Sequence, residues 1–145
     1  MPFDAYPGKG YKLSENLRGS NCRHGYGLEL QKATHQTCCA YCNLSLVDTY
    51  EHWLLMSVDH VVPIQEGKQK GIPDEWLYDL SNTVLSCSGC NGFRNRFKFP
   101  QNIKLPKSFP EFCKMRDRFF LERKKIIEES RAKEKAFFNS KPWEK

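Results

Sequence analysis

Two Cys-x-x-Cys pairs, Cys39-Ala40-Tyr41-Cys42 and Cys87-Ser88-Gly89-Cys90, constrain this chain more than any other feature in it. A tight turn with two intervening residues presents both sulfurs of a pair to one ion, and zinc takes four thiolates tetrahedrally. Cys38 is adjacent to Cys39, but only Cys39 has the right spacing to Cys42, so Cys39, Cys42, Cys87 and Cys90 are the expected ligands. The 44 residues between Cys42 and Cys87 exceed the spacing of a small zinc finger. One ion held by both pairs would therefore staple a whole domain, adding on the order of 10 kcal/mol to folding. The total of seven cysteines is odd, which argues against a complete disulfide framework and for zinc in a reducing compartment. Cys22, Cys38 and Cys113 receive no role.

Length and charge narrow the reading further. A chain of 145 residues with 39% hydrophobic content is expected to form one domain with a modest core. No apolar run reaches the ~20 residues of a membrane helix, and residues 1–10 lack the basic and apolar regions of a signal peptide. A cytoplasmic protein with no membrane partner is the expectation. Net charge is +6, and its distribution says more than its total. Residues 43–82 hold seven acids and two bases, whereas residues 92–107 hold five bases and no acid. That basic block follows directly on the second cysteine pair, and a polyanion such as nucleic acid is its natural partner. Arg94, Arg96 and Lys98 are the candidate phosphate contacts.

Pattern gives the order of elements. Residues 1–33, rich in Gly, Pro and Tyr, read as an irregular arm with a short helix beginning near Leu28. Residues 34–107 form the expected core. Trp53 to Val58 is an apolar run suited to a strand, closed by Pro63. Residues 66–74 read as a polar loop, Pro73 as the start of a helical turn, and Asn82 to Ser86 as a second strand leading into Cys87. A short helix from Gly89 would carry Phe93 and Phe97 on one face. Residues 98–107 read as an extended linker. Ser108 and Glu111 have capping-box spacing, and a helix over 108–139 follows, with Phe112, Met115, Phe119, Phe120, Ile126 and Ile127 as its apolar stripe. Its nine bases and six acids between Phe109 and Lys135 read as a solvated outer face.

Asp59-His60-Val61-Val62-Pro63, then Asn82, then Cys87-Ser88-Gly89-Cys90-Asn91 together resemble the HNH endonuclease family in its zinc-containing branch. The resemblance covers about Cys39 to Arg96. It implies an α+β fold with a ββα-metal core, a hairpin and helix around one divalent ion. It also implies hydrolysis of DNA phosphodiesters, with His60 as the general base, Asp59 and Asn91 as ligands of a catalytic Mg²⁺ or Mn²⁺, and Asn82 bracing the loop that carries His60. The Asn91 position is often His in that family, and Asn95, one turn on, is the alternative ligand. The resemblance implies that Asp59→Ala spares the fold and impairs cutting. The competing expectation is a non-catalytic zinc module that binds nucleic acid, which would share the cysteines and basic block but would not need Asp59, His60 or Asn91. His24, His35 and His52 have no comparable setting. The sequence leaves oligomeric state open.

Overall fold

A computed structural model of the chain describes residues 1–8, 10, 22–93 and 97–145. It is a mixed α+β structure: a small antiparallel sheet, several short helices, a long C-terminal helix and a cluster of cysteines. In chain order the named elements are α1 (Tyr26–Thr34), α2 (Tyr50–Leu54), β1 (Met56–His60), α3 (Ile64–Gln69), α4 (Asp74–Leu77), β2 (Thr83–Cys87), α5 (Ser88–Asn91) and α6 (Phe109–Asn139). Strands β1 and β2 pair in register from Met56 opposite Cys87 to His60 opposite Thr83. The register sets His60 at one end of the ladder and Cys87 on the strand partner at the other.

Several local expectations are revised. Strand β1 starts only at Met56, because Thr49 caps α2: its side chain accepts from the backbone N–H of His52 at 3.1 Å. Trp53 and Leu54 therefore belong to a helix. Residues 64–69 are helix α3 rather than loop. The glycine that made the segment look irregular is needed there for packing. A Cβ at Gly67 would lie 2.6 Å from Leu77 Cδ2, so any larger residue would have to push the buried Leu77 side chain aside. The N-terminal arm is also more anchored than its composition implies. Phe3 is buried against Phe120 edge-on at 5.6 Å, and Leu30 of α1 is fully buried.

Helix α6 begins as its capping signal predicts. Ser108 Oγ accepts from Glu111 N–H at 3.3 Å. The Glu111 carboxylate accepts from Lys107 N–H instead of the N-cap amide, so the box is shifted by one residue. At 31 residues the helix is about 46 Å long. Phe112, Met115, Phe119, Phe120 and Ile127 are buried, and so are Arg116 and Arg123. Residues 131–140 are exposed. Among the described residues, no helix is long and apolar enough to cross a membrane.

Candidate metal centre and the His60 cavity

The four expected cysteines converge. The sulfurs of Cys39, Cys42, Cys87 and Cys90 all lie within 4.8 Å of one another, and Cys42 Sγ is 3.8 Å from Cys87 Sγ. Four sulfurs at about 2.3 Å from a tetrahedral zinc stand about 3.8 Å apart, so the set fits that ion. The backbone prepares the site. Cys39 N–H donates to Leu44 O, Asn43 N–H donates to Cys39 O, and Ala40 N–H donates to Leu85 O, which closes the first knuckle onto β2. Asn43 takes the left-handed φ of 63° that this tight turn requires. On the second knuckle Cys90 N–H donates to Cys87 Sγ at 3.4 Å. Hydrogen bonds from the neighbouring Cys39 and Cys90 thiols favour the thiolate of Cys87. Arg131 of α6 reaches the cluster, with Nη1 3.5 Å from Cys90 Sγ, and offsets part of its negative charge.

The second candidate site lies at the other end of the hairpin. A cavity of about 490 Å³ is lined by Asp59, His60, Pro63, Gln65, Phe97 and Arg123, among others. His60 is half-buried, between the edges of Tyr26 and Tyr78, each ring centroid 6.5 Å away. Asn82 is fully buried and fastens the turn that follows His60. Its Oδ1 accepts from Val62 N–H at 2.9 Å, its Nδ2 donates to Val62 O and Leu77 O, and its own carbonyl accepts from Val61 N–H.

Asp59 has a setting the sequence did not reveal. It is 1% exposed. Arg123 Nη1 donates to both of its oxygens, at 3.0 and 2.8 Å, and the Tyr41 hydroxyl donates to Oδ2 at 2.5 Å. Arg123 is itself 3% exposed and lies over the Phe97 ring at 4.9 Å. Asn91 turns to β1, where Nδ2 donates to Ser57 Oγ at 2.6 Å, and its Oδ1 is buried with no hydrogen-bond partner among the described residues. That orphaned oxygen suits a cation. The Asp59 carboxylate does not as it stands: its charge is met by a guanidinium, and an ion there would confront Arg123 at close range. Asp59, expected with Asn91 to hold a catalytic Mg²⁺ or Mn²⁺, thus has both carboxylate oxygens engaged by Arg123 and Tyr41 in this arrangement.

Of the expected phosphate contacts, Lys98 is exposed beside the cavity-lining Phe97, while Arg94, Arg96 and the alternative ligand Asn95 lie outside the described residues. Sequence reasoning missed Tyr41, Arg123 and Arg131. The available signal was spacing: Phe119, Arg123 and Ile127 follow at intervals of four on the stripe that α6 buries. No family model matches the chain, and no curated protein or solved structure matches it either.

Proposed function

We propose that the chain is a zinc-stapled phosphodiester hydrolase of the HNH type, acting on DNA at the cavity that His60 and Arg123 line. The observation that carries this reading is the joint placement of its parts. An imidazole stands at the end of β1, the turn behind it is pinned by a buried asparagine, and β2 runs straight into the cysteine cluster. Strands β1 and β2 followed by α5 have the order of a ββα core, which supports that finer fold assignment. The His60 imidazole is the group on the cavity wall suited to remove a proton from an attacking water. The water oxygen would bond to phosphorus as the bond to the sugar oxygen breaks, and that oxygen would leave with the electron pair and take a proton from solvent. Arg123 lines the same cavity, where its pairing with Asp59 fixes the wall against which the phosphate would lie. The zinc would serve the fold, held by Cys39, Cys42, Cys87 and Cys90.

One observation favours the competing reading, a zinc module that binds DNA without cutting it. Asp59, the acid beside the imidazole, is already engaged by Arg123 and Tyr41. Nicking of supercoiled plasmid by zinc-loaded protein, with and without Mg²⁺ or Mn²⁺, separates the two. The hydrolase reading expects nicking that His60→Ala abolishes. Equal nicking by both proteins, or none by the wild type under any of these conditions, would leave only the binding module.

A further inference from the structure

The acid-rich stretch 43–82 contains two bases, Lys68 and Lys70, at the end of helix α3, whose first turn lines the His60 cavity. Helix α3 leaves Pro63 directly after the segment that carries His60. Gln65 on its first turn lines the cavity, and Lys68 lies three residues on, hence on the same helix face one turn further out. The Lys68 ammonium is held 4.9 Å from the centre of the Tyr78 ring, whose other neighbour is the His60 imidazole. Tyr78 is 40% exposed, an open aromatic surface next to the candidate base. Lys70 at the end of α3 lies over the Phe99 ring at 5.3 Å, close in sequence to the cavity-lining Phe97. Positive charge from Lys68 thus stands beside the His60 end of the cavity, whose walls carry the Glu66 carboxylate and Asp59 already paired with Arg123.

We infer that Lys68, with Tyr78 beneath it, seats a DNA phosphate next to the one presented to His60. This rests on the hydrolase reading above and adds the path the backbone takes. Lys68 also lies 3.7 Å from Asp74, but both groups are open to water, and such a pair yields readily to a phosphate. A hydrogen bond with Tyr78 further favours the charged form of Lys68. The Tyr78 ring keeps the Lys68 ammonium from wandering, so it remains near His60 before DNA arrives.

Binding of a fluorescein-labelled DNA duplex of arbitrary sequence, followed by anisotropy over a series of salt concentrations, tests this alongside plasmid nicking. Each phosphate contact contributes about 0.9 to the slope of log affinity against log salt. Lys68→Ala should lower the slope by about one, weaken binding to all sequences alike, and raise KM more than it lowers kcat. Lys68→Arg should keep the slope, and Lys133→Ala, on the exposed end of α6, should not change it. If the wild type binds and nicks but Lys68→Ala keeps the full slope, the inference is overturned and the hydrolase reading survives. An equal loss from Lys133→Ala would also overturn it, since net charge alone would then account for binding. A wild type that neither binds nor nicks the DNA would overturn the reading beneath it as well.

Discussion

Asparagine in place of Asp59 removes one charge from a buried pair and leaves the geometry otherwise intact. The Asp59 and Arg123 side chains are 2% and 3% exposed, and their closest approach is 2.8 Å. With the carboxylate gone, the Arg123 guanidinium remains in the interior without a counterion. Breaking such a pair from one side costs about 3–5 kcal/mol, because the remaining charge has lost its solvent and its partner. For a domain near this size each kcal/mol moves the midpoint by roughly 2–4 °C, so Asp59→Asn should lower Tm by roughly 6–20 °C. Arg123→Met should do much the same by stranding the carboxylate. Combining the two should cost less than the sum of the single losses, by about 0.5–3 kcal/mol, since neither charge is then stranded. Thermal and urea melts of zinc-loaded protein provide the four corners of this cycle. The alternative, Asp59 as a dispensable ligand of a catalytic ion, expects lost cutting with an unchanged melt. An Asp59→Asn midpoint within a degree of wild type would refute a structural role for the pair.

Other perturbations test the remaining supports. Cys90→Ser should lose bound zinc and with it on the order of 10 kcal/mol of folding free energy, read as metal content and as a missing cooperative melt. Burial, and then the nearby Asp59 carboxylate, raise the Tyr41 hydroxyl well above its ordinary value of 10.0. Its neutral form is thus favoured by folding, so the associated stability is intact below pH 10 and drains away as pH rises beyond it. Tyr41→Phe should flatten the alkaline decline of Tm. Asn82→Ala leaves Val62 N–H, Val62 O and Leu77 O unpaired in the interior and should cost roughly 3–9 kcal/mol in a urea melt, at about 1–3 kcal/mol for each such group.

What could be read from the sequence followed from how local its signals were. The cysteine spacing brought four sulfurs together because each knuckle is a tight turn that needs no distant information. Ser108 and Glu111 announced α6 for the same reason. Helix α3 was missed because Gly67 reads as a breaker until Leu77 is known to press against it. The buried arginines were missed because charge on an amphipathic helix ordinarily faces water, and the partner that draws Arg123 inward lies 64 residues earlier. Asp59 in the middle of an apolar stretch was the better clue. An acid that a strand must bury needs a cation, and the sequence supplied two kinds of candidate, an ion and an arginine, without ranking them.

That separation of 64 residues has a consequence for biogenesis. At about 5–20 residues per second, the ribosome delivers the arginine roughly 3–13 s after the aspartate it will neutralise. Throughout that interval the emerging hairpin holds an acid that resists dehydration. The nascent sheet should therefore stay open until the final helix is released, so that closure around the cysteines becomes a late and nearly concerted event.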